Sequence, residues 1–273
     1  MKPLERSAKK GTASMIVTVV LYLVGASSVP YGWLNDLIGG GKNLELFLGF
    51  LSRTLCSILP VYLIFEFGFN DLFRINAKKL KGGLLSVPIF LIALNNFPFI
   101  PIMSGYMTVN ATFFDFIPYV LSCLSIGILE ETCFRGCVLP LVAYKFEKSK
   151  KGMFWSVVVS SAIFGGAHLV NLFGGFSAGV FLQVGYSFLI GAICSVALLV
   201  SGNIYVPILI HALYDVGGFM TVDGLSSGVI WTVPNIIWTA VFSVLVGACI
   251  VYIFIKKDFS DIYENLNLNR IPE

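Results

Sequence analysis

Eight residues near the middle of the chain, Leu129-Glu130-Glu131-Thr132-Cys133-Phe134-Arg135-Gly136, set two adjacent carboxylates and an arginine inside an apolar run. Tyr119 to Ile128 upstream is nearly all apolar, and Gly136 to Tyr144 downstream carries no charge. In a membrane-spanning segment each charge costs roughly 2.5–3.5 kcal/mol on insertion scales, so intramembrane charges are rare and functional by default. Glu131 and Arg135 are four apart on one helical face and can pair. Glu130 then points about 100° away and is left for another partner. A carboxyl group in an apolar site suits general acid–base work near neutrality.

The remaining chemistry is concentrated in two short stretches. The only two histidines are His168, in Phe164-Gly165-Gly166-Ala167-His168, and His211, in His211-Ala212-Leu213-Tyr214-Asp215. His211 and Asp215 share a helical face. Gly165 and Gly166 would let a neighbouring helix approach closely beside His168. Such a set suits hydrolysis. A histidine can share the activation of water or donate to an oxyanion, and Arg135 can hold one carboxylate ionised while its neighbour reacts. Zinc is the rival, since two histidines and a carboxylate can ligate it with one position open. The HExxH signature is absent, as are a GxSxG serine motif and a Gly-rich phosphate loop. Each feature alone has a plainer reading: a packing histidine, a structural ion pair, a helix-capping aspartate. Their joint occurrence at matched depth argues against coincidence.

The elements that must position these residues are membrane helices. Of 273 residues, 57% are hydrophobic and 12% charged, against about 25% charged in soluble domains. Apolar runs extend from Ala13 to Val29, Leu44 to Phe67, Leu84 to Met103, Val120 to Val142, Met153 to Phe173, Gly179 to Val200, Ile204 to Phe219 and Val229 to Ile255. The first is read as a retained helix rather than a signal sequence, although Gly25-Ala26-Ser27-Ser28 offers small residues. The third carries Pro88, Asn95, Asn96, Pro98 and Pro101 and is expected to be kinked or broken. Phe113 to Tyr119, with Asp115, is expected to be an interfacial lead-in. Arg53 and Glu66 lie in the second run without a motif and are read as structural or interfacial. The six cysteines fall in apolar runs without a CxxC pair and are read as packing residues.

Eight spans put both termini on one side. The N-terminus (Lys2, Arg6, Lys9, Lys10), the Arg74 to Lys81 loop, the Lys145 to Lys151 loop and the tail hold fifteen of the 18 Lys and Arg residues. The opposite loops hold Lys42 alone, and Arg53 and Arg135 lie within spans. By the positive-inside rule the topology is N-in/C-in. The expectation is an all-α polytopic membrane protein of about eight transmembrane helices, one integral membrane domain over 1–273, with a catalytic core over 120–220.

Glu130-Glu131-x-x-Phe134-Arg135, then Phe164-x-x-x-His168, then His211-x-x-x-Asp215 resembles the three-motif set of the CPBP family. These are the CAAX-processing and bacteriocin-processing intramembrane proteases, also called Abi. Gly202-Asn203-Ile204 and Pro207 to Ala212 are similar to that family as well. The resemblance implies a CAAX-protease-like bundle that hydrolyses peptide bonds in the membrane. By analogy Glu130 with His211 activates water, Glu131 with Arg135 orients the site, and His168 with Asp215 stabilises the oxyanion. The prenyl-protein branch has asparagine where this chain has Asp215, and an ionised aspartate cannot donate to an oxyanion. A metal, if present, would fall to Glu130, His168, His211 and Asp215; the cofactor is none or zinc. The expected partners are membrane lipid and a peptide or membrane-anchored protein substrate, as in bacteriocin or pheromone processing or self-immunity, with no nucleic acid. The expected location is a bacterial plasma membrane, as a multi-pass protein. The alternative is a non-catalytic membrane scaffold or regulator, and a transporter is a third reading.

Overall fold

The computed structural model describes residues 11–146 and 148–256, together with Tyr263 and Leu266. Almost all of it is helix. In chain order the helices are α1 (Thr12–Ser27), α2 (Tyr31–Leu37), α3 (Lys42–Cys56), α4 (Ile58–Glu66), α5 (Ala77–Leu85), α6 (Val87–Asn95), α7 (Phe99–Met103), α8 (Phe113–Glu131), α9 (Leu139–Ala143), α10 (Lys150–Ala167), α11 (Ala178–Ser201), α12 (Tyr205–Gly218) and α13 (Val233–Lys256). The all-α polytopic membrane fold expected from composition is present.

Among the described residues, six stretches are long and apolar enough to cross a membrane: Thr12–Leu37, Lys42–Glu66, Phe113–Ala143, Lys150–Gly174, Gly179–Ser201 and Val233–Lys256. The expected count of eight is not confirmed, and the two expected spans outside this set differ from it for visible reasons. The third run is divided among α5, α6 and α7, broken at Ser86 and again at Pro98. Proline removes a backbone donor and disfavours the helical conformation of the residue before it. The seventh run folds as α12, which at 14 residues is only about 21 Å long. The N-terminal basic segment and nearly all of the tail lie outside the described residues, so the expected orientation of the termini is not visible here.

The helix carrying the acidic pair begins earlier than the interfacial lead-in suggests. Asp115 and Thr112 form a capping box: the Thr112 N–H donates to Asp115 Oδ2 at 2.7 Å, and the Thr112 side chain accepts from the Asp115 backbone. Asn43 at the start of α3 donates to Asp115 Oδ1 at 2.6 Å, which ties the N-terminal ends of α3 and α8 together. These two helices pack along each other, as do α8 with α12 and α10 with α11. At that same end a two-stranded antiparallel sheet joins β1 (Met107–Val109) to β2 (Ser226–Gly228), with Met107 opposite Gly228. The uncharged stretch Gly105 to Thr112 is therefore partly strand.

Buried side chains gather on α8 and the turns after it, on α10, α11 and α12. By contrast α13 exposes Ile236, Ile237, Trp238, Val241, Val244 and Leu245, as a lipid-facing helix does. The six cysteines are all free; Cys123, Cys133, Cys137 and Cys194 are buried, in keeping with a packing role.

Candidate active site

The apolar run that starts in α8 does not continue as a plain α-helix. Residues Thr132–Val138 form a π-helical turn before α9 resumes. Pro140 has no N–H to offer the carbonyl one turn back, and the Thr132 hydroxyl donates to Ile128 O at 2.7 Å. Widened turns of this kind are frequent at functional sites. Here the turn carries Arg135, and every residue from Glu131 to Pro140 is buried.

Arg135 is almost wholly enclosed. Its Nε lies 3.1 Å from Glu131 Oε2, the pairing the spacing predicts. Its Nη2 donates to the carbonyl of Gly191 on α11 at 2.8 Å. The guanidinium also lies over the Phe164 ring, 4.7 Å from its centroid. A side chain at position 191 would run into Phe164 and Arg135, so Gly191 supplies both the acceptor and the room. Neither Gly191 nor the stacking role of Phe164 is evident from residue type; the only hint is the presence of Phe164 in the second motif.

His211 enters from α12. Its Nδ1 is 2.6 Å from Glu131 Oε1, and its Nε2 faces Glu130 Oε2 at 3.7 Å and Asp215 Oδ2 at 3.8 Å. Glu131 is fully buried, while the Glu130 side chain keeps 17% of its surface exposed. Thus the carboxylate expected to pair with Arg135 is shared between Arg135 and His211, and the more open Glu130 sits beside the free imidazole edge. Helices α8 and α12 approach closely enough because position 127 is glycine: a methyl group there would lie 2.9 Å from Ile208 O. Tyr119 donates to Val216 O at 2.6 Å and Asn96 to Tyr214 O at 2.7 Å, so the far half of α12 is held from both sides. Sequence reading singled out neither residue for this role.

His168 stands apart from that group. It ends α10, and its Nδ1 pairs with the Phe164 carbonyl at 3.0 Å. The Phe164 ring meets His168 edge-on at 5.2 Å and His211 edge-on at 5.8 Å. Among the described residues His168 makes no hydrogen bond or ion pair with Glu130, Glu131, His211 or Asp215. Of the two glycines before it, Gly165 is the one at a close approach, against Val184 O of α11.

The same geometry bears on a metal. Among the described residues no group of three or more His, Cys, Asp and Glu side chains is arranged to hold a metal ion. Within the set Glu130, His168, His211 and Asp215, one nitrogen of His168 is engaged with the Phe164 carbonyl. One nitrogen of His211 is also already taken by Glu131.

Arg53, read as structural from the sequence, donates to Ser122 Oγ at 3.0 Å and to Tyr31 OH at 2.8 Å. It bridges α2, α3 and α8.

The fold and site define an all-α membrane protein whose buried carboxylates and imidazole come together from two helices. A sequence model of the Rce1-like family of type II CAAX prenyl endopeptidases matches residues 112–217. That stretch runs from the cap of α8 to the end of α12 and contains all six site residues. The family drawn from the three motifs and the family of this match are the same, and the match supports a CAAX-type intramembrane protease. No curated protein and no solved structure matches the chain.

Proposed function

We propose that the protein hydrolyses a peptide bond within or at the membrane, with water activated between Glu130 and His211. The observation that carries this reading is the two-sided use of His211. Its Nδ1–H donates to Glu131, which fixes the tautomer and leaves Nε2 as the working edge. The gap from Nε2 to Glu130 is too long for a direct hydrogen bond, so both groups are left to share a water placed beside them. A water held there loses its proton to Glu130 as its oxygen attacks the substrate carbonyl. The new C–O bond forms, the C–N bond breaks, and the proton passes from Glu130 to the departing amine.

In this scheme Glu131 carries no proton in the reaction. It is a positioning residue: it pairs with Arg135 and, through Nδ1, supports the partial positive charge that His211 gains as Nε2 hydrogen-bonds the water. Asp215 faces the same imidazole edge and supports that partial charge. This differs from the oxyanion role implied by family analogy, which an ionised aspartate cannot fill. No step is routed through a metal. The substrate is a peptide precursor or a membrane-anchored protein, in a bacterial plasma membrane. The test is cleavage of membrane-anchored peptides by purified protein, compared with Glu130→Gln.

A further inference from the structure

The basic segment between α4 and α6 takes no part in the proposed chemistry. From Asn70 to Leu85 it holds Arg74, Lys78, Lys79 and Lys81 against a single carboxylate, Asp71. That carboxylate is already shared: Oδ1 lies 3.3 Å from Arg74 Nη1 and Oδ2 lies 3.6 Å from Lys79 Nζ. Lys79 is buried and also donates to the Asp71 carbonyl. The Arg74 side chain, by contrast, is 75% exposed, and Lys78 and Lys81 are exposed as well. The outer surface of the segment is therefore cationic.

Its place in the fold says what lies against it. The segment follows the span Lys42–Glu66, and Asn203, just beyond the span Gly179–Ser201, donates to the Arg74 carbonyl at 3.1 Å. Both spans finish at this end of the molecule, so α5 starts at a bilayer boundary. Leu80 and Leu84 line one exposed face of α5, and Lys78 and Lys81 line the next, each pair three or four residues apart. A helix with an apolar face beside a basic one lies in the headgroup plane, its leucines in the acyl layer and its cations at the phosphates.

This surface is tied to the helix that carries His211. The Ile204 N–H donates to the Leu72 carbonyl at 3.0 Å. Asn203 is buried, and its Oδ1 accepts from the Tyr205 N–H at 2.9 Å, at the start of α12. The Phe73 ring meets the Tyr205 ring edge-on at 6.1 Å. Gly82 brings α5 against the end of α11, where a methyl group would lie 2.6 Å from Val200 O. His211 follows Tyr205 by six residues, about 9 Å along α12.

We propose that Arg74 and Lys81 bind the phosphate of an anionic phospholipid, and that the bound headgroup steadies the start of α12. The occupant is a lipid because the cations border Leu80 and Leu84, which an acyl chain covers and a free phosphate leaves in water. The proposal does not depend on the peptidase reading.

Binding is measured by native mass spectrometry on the full-length protein in detergent. The protein is titrated with phosphatidylglycerol or with phosphatidylcholine, which has the same phosphate but no net charge. Phosphatidylglycerol is expected to bind about tenfold or more tightly, since each basic residue near an anionic headgroup contributes severalfold. Arg74→Gln with Lys81→Gln is expected to abolish the difference, while Lys148→Gln with Lys151→Gln, in the other basic loop, leaves it in place. Lys81→Gln alone changes one exposed position and should cut the preference severalfold, which keeps the claim testable if the pair does not fold. Hydrogen exchange in phosphatidylcholine nanodiscs, with and without phosphatidylglycerol, reads the coupling: amides over 205–211 are expected to exchange severalfold more slowly with the anionic lipid. Equal affinity for the two lipids, or a preference that survives the glutamine pair, overturns the site. A preference with unchanged exchange over 205–211 overturns the link to α12.

Discussion

Glu131 Oε1 lies 2.6 Å from His211 Nδ1, and both side chains are shut off from solvent. This contact joins α8 to α12 across 80 residues of sequence. It makes Glu131 the hub of the site, because the other oxygen of the same carboxylate meets Arg135. Replacing it with glutamine keeps the shape but removes the charge and leaves Arg135 buried without its counter-ion. Glu131→Gln is expected to lower kcat at least 100-fold with little change in KM, as loss of an orienting carboxylate does. Steady-state kinetics on membrane-anchored peptides checks this.

Arg135 is expected to be a residue of stability first. Removing one partner of a buried ion pair costs about 3–5 kcal/mol. Arg135→Met should therefore melt well below the wild type in detergent. Arg135→Lys should rescue little, since a single ammonium cannot reach Glu131, Gly191 and the Phe164 face together. Thermal unfolding followed by intrinsic fluorescence reads both.

Asp215 separates two mechanisms. If it supports charge on His211, Asp215→Asn lowers kcat by about tenfold or more. If position 215 faces the oxyanion, the same change supplies a donor and raises activity. The kcat of the purified variant decides between them, and the geometry at His211 favours the first outcome.

The glycine at 127 sets the distance between the acidic pair and His211. Gly127→Ala brings a methyl group to 2.9 Å from the Ile208 carbonyl, whereas Gly166→Ala meets nothing within 4 Å. The first variant is expected to lose more than tenfold in kcat/KM, by displacing positioned groups. The second should stay within a factor of two. Parallel assays with melting curves distinguish displacement from unfolding.

Much of this site is written in residue type and spacing. The Glu131–Arg135 pair follows from a four-residue interval, and the motifs place His211 and Glu130 in neighbouring helices. What the spacing does not contain is which carboxylate takes His211. That depends on how closely α8 and α12 approach, a matter of one glycine, and on the π-helical turn after Glu131, which has no periodic signature. His168 is held by the Phe164 carbonyl, a backbone acceptor that residue type does not reveal. The broken third run is announced by its prolines, but the shortness of α12 is not. A strand pair of three residues each is too short for an alternation pattern to show.

The central claim is that Glu130 and His211 activate water directly. It is tested by assaying purified wild type, Glu130→Ala and His211→Ala on acylated peptides, with and without a strong zinc chelator. Wild-type cleavage is expected to survive chelation, and both variants to fold yet lose at least 1000-fold in kcat, the scale of combined general-base and positioning losses. A folded Glu130→Ala protein that cleaves at the wild-type rate would contradict it, as would activity abolished by the chelator and restored by zinc.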